Sequence, residues 1–292
     1  MRPQLNLKTL WSLKLRALAG ICLALSITSA AQADTLKYLA RGDQSLMQMA
    51  DLIKSARHSI DLSYYIIDPC SDSTNILFDL LREKSRSGVK VRVIVDAFTH
   101  KGDLQRAFRE TLEKDGIDLR YFNRKRISAS INYRMHAKIM LADGQRYISG
   151  GRNIADDYFG LNKDNFIDRD VYVEGASAAQ AQNEFDSFWS KNEVFIPKNA
   201  TGTDPEFFNN LCKEAVSKKA ALLNAMTRES KKTLSAMPSM QCSNVKFTYD
   251  DPEFWYANHD PQIDTTMNSS IASLESELQK KATTRELVQF LT

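Results

Sequence analysis

A histidine and a lysine one residue apart, His136 and Lys138, open the stretch of this 292-residue chain in which chemistry is most densely written. It runs Arg134-Met-His136-Ala-Lys138-Ile-Met-Leu-Ala-Asp143 and is followed by Ser149-Gly150-Gly151-Arg-Asn153. Imidazole serves as a nucleophile or proton carrier near neutral pH. An ammonium answers phosphate charge, and a carboxamide adds hydrogen-bond donors. Consecutive glycines let backbone N–H groups approach an anion closely. Gathered at one spot, these groups suit a phosphate, with Lys138, Gly150, Gly151 and Asn153 as its binding groups. Taken singly, each has a plainer reading: a satisfied histidine, a solvated lysine, a simple turn. The joint spacing is what points to a site.

The elements around the stretch are those that must position it. Ile139 to Ala142 is a short apolar run bounded by Asp143-Gly144, and Tyr147-Ile148 follows, which predicts a β-hairpin. Alternate residues of a strand share a face, so His136 and Lys138 are expected to project together. Upstream, Leu46, Met49, Leu52 and Ile53 predict a helix over 44–56, and 60–67 reads as a strand stopped by Asp68-Pro69. A helix over 74–84 and a strand over 89–95 ending at Asp96 complete a parallel βαβ unit. A helix over 104–114, strands over 119–122 and 169–173, and a helix over 177–189 follow the same logic. The expected class is α/β: residues 34–198 form one lobe with a central mixed, largely parallel sheet flanked by helices. Residues 199–292 read as a polar linker and a helical extension, with helices over 205–226 and 270–281. The strand-like run at 286–291 is expected to open a second, truncated lobe.

Charge and cysteines set bounds. Arg2, Lys8, Lys14 and Arg16 precede an apolar stretch from Ala17 to Ile27 that is too short to span a bilayer comfortably, and Ala31-Gln32-Ala33 supplies small residues for cleavage. Residues 1–33 are therefore expected to be a signal peptide, with Asp34 as the mature N-terminus and export to a periplasm or cell envelope. Of the 39 basic side chains, removal of the leader's four leaves 35 against 36 acidic ones. A charge so near zero argues against nonspecific nucleic-acid binding. Cys70, Cys212 and Cys242 remain, and an exported chain can oxidise two; Cys212–Cys242 is the pair expected first. Neither a C-x-x-C motif nor a carboxylate cluster calls for a metal, so no metal and no cofactor are expected. The basic run Arg124-Lys125-Arg126 is either a solvated loop or a further phosphate contact.

The pattern H-x-K-x4-D followed by G-[GS]-x-N resembles the signature of the phospholipase D superfamily. His136, Lys138 and Asp143 fill its first part and Gly150, Gly151 and Asn153 its second. Residues 38–196 resemble the first lobe of two-lobed members, most like the cardiolipin synthase C type. The marks are Leu62-Ser-Tyr-Tyr-Ile66, Gly88-Val-Lys-Val-Arg-Val-Ile-Val-Asp96, Gly150-Gly-Arg-Asn-Ile-Ala-Asp-Asp-Tyr-Phe-Gly160 and Phe185-Asp-Ser-Phe-Trp189. The resemblance implies that His136 is a nucleophile forming a phosphohistidine, with Lys138 and Asn153 on the nonbridging oxygens. It implies an orienting carboxylate at Asp168, with Asp170 as the alternative, and an Asp143 that fixes the turn more than it touches substrate. The implied activity is phosphatidyl transfer or phosphodiester hydrolysis on glycerophospholipids at a membrane surface.

The resemblance also implies a second signature histidine, and His58, His100 and His259 have no lysine two residues on. A second lobe on another chain, or a homodimer, would supply it. Two other readings stand beside this one: a homodimeric metal-independent phosphodiesterase cutting nucleic acid, and an inactive lobe that binds lipid or phosphate.

Overall fold

Six of the seven residues in Lys90–Asp96 are buried, the mark of a strand covered on both faces. This strand lies near the middle of the sheet in the computed structural model, which describes residues 33–100, 102–123, 134–196, 212, 232–243 and 245–248. The elements in chain order are β1 (Asp34–Leu39), α1 (Gly42–Ser55), β2 (Ser59–Tyr64), α2 (Asp72–Arg86), β3 (Lys90–Asp96), α3 (Asp103–Lys114) and β4 (Asp118–Phe122). Then come β5 (Ile139–Ala142), β6 (Arg146–Gly150), α4 (Asp156–Phe159), β7 (Asp170–Glu174), α5 (Ser177–Trp189), β8 (Val194–Phe195) and β9 (Met240–Cys242). Apart from residues 33 and 212, the signal peptide, the basic run at 124–126, the linker, the helices over 205–226 and 270–281 and the strand over 286–291 fall on residues outside those described.

Nine strands form one sheet in the order β8-β4-β3-β2-β5-β6-β7-β1-β9. The expected mixed sheet flanked by helices is present, but its parallel share is small: only β2–β3 and β3–β4 run parallel. The physical reason is the β5–β6 hairpin, which reverses the chain beside β2 and starts an antiparallel run through β7 and β1 to β9.

Period-two alternation assigns the two faces. Val91, Val93, Val95, Met140 and Ala142 pack with Leu46, Met49 and Ile53 of α1, Ile76, Leu77 and Leu81 of α2 and Phe108 and Leu112 of α3. Ile94, Ile139, Leu141 and Val173 face the other way, onto Ala178, Ala181, Phe185 and Phe188 of α5. The apolar stripes of the helices, legible as i, i+3, i+4 spacing, are the surfaces that these sheet faces cover. A buried ion pair lies within the second face. Arg92 donates two hydrogen bonds to Asp61, at 2.6 and 2.9 Å, and one to Asp186 of α5 at 2.6 Å. Gln182 donates a further bond to Asp61, so a hydrogen-bonded polar knot clamps α5 to β2 and β3.

The hairpin turns through Asp143 and Gly144, both at positive φ (57° and 61°), and Gln145 N–H donates to the Ala142 carbonyl at 3.1 Å. Those are the backbone demands of a primed two-residue turn, and Asp-Gly meets them cheaply.

The disulfide joins Cys70 to Cys212, with Cα atoms 4.9 Å apart, and Cys242 is free. This corrects the expected Cys212–Cys242 pair. Cys242 lies in β9 at the far edge of the sheet, opposite Asp34, whereas Cys70 follows β2 near its centre. Cys212 is 3% exposed and packs into the cluster beneath α1, α2 and α3, on the side where Cys70 waits.

Candidate active site

The segment 134–138 belongs to no strand; β5 begins only at Ile139. It leads into β5 from the end of β3, across the end of β2, and is pinned on the way. Met135 N–H donates to the Asp96 carboxylate at 3.0 Å, and the Ser63 hydroxyl of β2 meets the Met135 sulfur at 2.9 Å. Past the histidine, the Lys138 carbonyl accepts from Ser149 Oγ at 3.1 Å and from Gly150 N–H at 3.4 Å. The chain stays extended enough for alternation to hold. Met135 and Ala137 pack with the α5-side cluster, while His136 and Lys138 turn to the opposite side and meet.

Lys138 Nζ lies 3.1 Å from His136 Nδ1 and donates to the His136 carbonyl at 2.6 Å. The Tyr65 ring stands beside both, 5.1 Å centroid to centroid from the imidazole and 5.8 Å from the ammonium. His136 is exposed whereas Lys138 is only 6% exposed. Burial lowers the Lys138 pKa to about 8, against the opposing pull of Asp168. Burial and the neighbouring ammonium hold His136 below the ordinary histidine value, again opposed by Asp168. The site therefore keeps a neutral imidazole and a cation side by side near neutral pH, with one ring nitrogen turned to the cation. Among the described residues no group bonds His136 Nε2.

Asp168 and Asp170 part company. The Asp170 carboxylate is 2% exposed and taken up by Ser45 Oγ, Arg152 N–H at 3.4 Å and Arg152 Nη1 at 3.2 Å. Asp170, the alternative orienting carboxylate, is drawn into the sheet by buried Arg152. Asp168, one residue short of any strand neighbour, keeps its carboxylate at the Gly151 Cα, where a Cβ would come within 1.9 Å of its oxygen. Its charge reaches both His136 and Lys138, and no hydrogen bond links it to the ring among the described residues. Arg152 also donates to the Asp168 carbonyl, which anchors that residue. Neither Arg152 nor Tyr65 was singled out from sequence; the signal available was an arginine inside the glycine motif and a tyrosine at the end of β2.

Gly150 and Gly151 do a different job from the one expected. Gly150 N–H points to the Lys138 carbonyl and Gly151 N–H to the Arg169 carbonyl at 3.0 Å, so neither donor is open to an anion. The glycines are required by close approach: a Cβ on Gly150 would sit 2.2 Å from the Arg169 carbonyl oxygen. Asn153 is 3% exposed; its Oδ1 accepts Ile66 N–H at 3.0 Å and its Nδ2 donates to Tyr158 Oη at 2.8 Å. A carboxamide has two N–H bonds, and one remains for another acceptor. Through Ile66, Asn153 also fixes the turn that carries Tyr65.

Asp143 lies at the other end of β5. Its carboxylate accepts the backbone N–H groups of Arg57, His58 and Ser59 at 2.7–3.1 Å and pairs with Arg146 at 3.3 Å. Burial alone would raise its pKa, and these donors reverse that and hold it low. It secures the hairpin and is not gathered with His136. Of the remaining histidines, His58 lies beside Asp143, His259 is outside the described residues, and His100 is a core residue. The His100 Nε2 accepts Ile67 N–H at 3.1 Å, and burial pushes its pKa to about 4.

The chain is similar to known proteins over the region that carries this site. Residues 49–189 match the family described as "Cardiolipin synthase, PLD-like domain". Cardiolipin synthase 1 of Bacillus anthracis is 32% identical over 165 residues, covering 55% of this chain and 32% of that protein. Cardiolipin synthase 2 of the same organism is 34% identical over 156 residues, covering 52% of this chain and 30% of that one. The chain thus spans about a third of the length of these curated relatives. Among solved structures, the phospholipase D family member Nuc from Salmonella typhimurium superposes with a TM-score of 0.46 at 16% identity, over 57% of this chain and 99% of that one.

Proposed function

We propose, from the match of residues 49–189 to this phospholipase D-like family, that the protein transfers or hydrolyses a phosphatidyl group of glycerophospholipids through His136. The observation that carries this is the pairing of an exposed imidazole with a buried ammonium 3.1 Å away. Attack requires the tautomer with its proton on Nδ1 and a lone pair on Nε2. Lys138 gives up its contact with Nδ1 when it turns to the nonbridging oxygens, and the spare Asn153 N–H joins it there. The Nε2 lone pair forms a bond to phosphorus, and the bond from phosphorus to the leaving alcohol oxygen breaks. That oxygen takes a proton from a general acid. The same group, now a base, removes a proton from an incoming alcohol or water. The new oxygen bonds to phosphorus as the P–N bond breaks, and neutral imidazole returns. Asp168 supports the positive charge that the ring carries in the intermediate.

Among the described residues no second histidine faces His136, so the acid comes from a second signature-bearing lobe or from a second copy of this chain. Lipid is favoured over nucleic acid by the near-zero charge of residues 34–292 and by the surroundings of Asp168. Phe166 and Ile167, just before it, are 59% and 88% exposed, an apolar rim suited to acyl chains. The leader at 1–33 would deliver the protein beyond the cytoplasmic membrane.

The test is turnover of mixed phosphatidylglycerol vesicles by the full chain, alone and with a second-lobe partner, compared with His136→Ala. Lipid products that vanish in the variant support the reading. Plasmid nicking that vanishes instead would favour the nuclease, and phosphate or vesicle binding with no turnover in either protein would leave only a binding lobe.

A further inference from the structure

Asp96 is fully buried at the end of β3, where a carboxylate has to be surrounded by donors to remain charged. It has them. Oδ1 accepts Phe98 N–H at 2.7 Å and Oδ2 accepts Met135 N–H at 3.0 Å, and Arg134 Nη1 approaches Oδ1 at 3.4 Å. The Arg134 guanidinium lies over the Phe98 ring, 4.6 Å from its centroid. One carboxylate thus ties the loop leaving β3 to the two residues that precede His136. On the far side of the histidine, the Lys138 carbonyl is held by β6. Before it, the Met135 N–H donates to the Asp96 carboxylate and the Ser63 hydroxyl donates to the Met135 sulfur.

We infer that Asp96 is a positioning residue for His136: by holding the Met135 N–H and the Arg134 side chain, it keeps the imidazole against Lys138 and Tyr65. The inference rests on His136 being the reacting group. It assigns Asp96 no contact with substrate. Loss of the carboxylate lets the 134–137 segment swing off the end of β2, so the ring leaves the half-buried pocket beside the ammonium.

That consequence has a sign that separates it from a plain charge effect. His136 is held below its ordinary pKa by burial and by Lys138. Freeing the ring relieves both, and its pKa rises toward about 6.5. Removing a distant negative charge without moving the ring would lower it instead. Histidine-selective 15N NMR of the full chain, wild type and Asp96→Asn, reads this directly, with His58, held by Asp143 at the other end of β5, as an internal reporter of the intact fold. The expected result is a raised His136 pKa, unchanged His58 signals, and a kcat lowered at least tenfold with KM within about twofold. An unchanged or lowered His136 pKa, or an unchanged kcat, would overturn it. Amide exchange in the unsubstituted chain needs no variant: Met135 N–H should be strongly protected, and exchange at the free-chain rate would equally sink the inference. If the wild type shows no His136-dependent turnover, the proposed function fails, while the NMR and exchange results still decide the role of Asp96.

Discussion

Lys138 Nζ stands 3.1 Å from His136 Nδ1, close enough that the ammonium bears on the protonation of the ring. The ammonium discourages a proton on the ring, and the shared burial discourages one on the amine. A phosphodiester entering between them would draw Lys138 to its oxygens, while leaving the ring free to attack.

The pH dependence of kcat/KM should record both groups of the free enzyme. His136 works deprotonated, so activity rises with pH through a midpoint below the ordinary histidine value. Lys138 works protonated, and it is lost as pH passes about 8. A bell with its alkaline limb near that pH is expected, and Lys138→Arg should abolish the limb while lowering the rate. Activity that stays level through pH 9.5 in the wild type would contradict the assignment.

The two signature glycines should fail differently. A Cβ on Gly150 meets a backbone carbonyl at 2.2 Å, which cannot retreat; Gly150→Ala should cost roughly 1–3 kcal/mol of stability. A Cβ on Gly151 meets the Asp168 carboxylate at 1.9 Å, which can turn away. Gly151→Ala should unfold near the wild-type temperature, lose at least tenfold in kcat, and show a His136 pKa lower still. Thermal melts set beside turnover distinguish the two.

Asp143 belongs to the signature by spacing and to the hairpin by contact. Asp143→Ala removes the acceptor of three backbone N–H groups and puts alanine at φ 57°. A loss of about 2–3 kcal/mol follows. Asp143→Asn, which tolerates that φ and keeps one acceptor, should lose less. In both, the fraction still folded should turn over with unchanged KM, as denaturant curves alongside kinetics would reveal.

Thiol chemistry checks the covalent frame. Without reductant, an alkylating reagent should modify Cys242 and leave Cys70 and Cys212 untouched. Reduction should expose both and lower stability by roughly 2–5 kcal/mol. Peptide mapping that finds Cys212 joined to Cys242 would refute the bridge.

Much of this was legible in the chain. Short apolar runs and helical spacing marked β2 to β7 and the helices α1, α2, α3 and α5, because each buries a stripe against one sheet. The common facing of His136 and Lys138 followed from alternation, even though the strand starts after them. What could not be read was the fate of each polar group. Whether Gly151 N–H meets a phosphate or Arg169 depends on which strand lies alongside, and Asp170 was claimed by Arg152 from another turn of the chain. The disulfide misled for the same reason: Cys70 and Cys212 are 142 residues apart in sequence and neighbours only after the sheet is assembled.

The most direct measurement is intact-mass and peptide mapping of the chain quenched in acid-free conditions during turnover of phosphatidylglycerol, with a second-lobe partner present. The account predicts a phosphatidyl adduct on the peptide carrying His136, absent from His136→Ala. Steady turnover with that peptide unmodified at every quench time, or an adduct that persists in the variant, would contradict it.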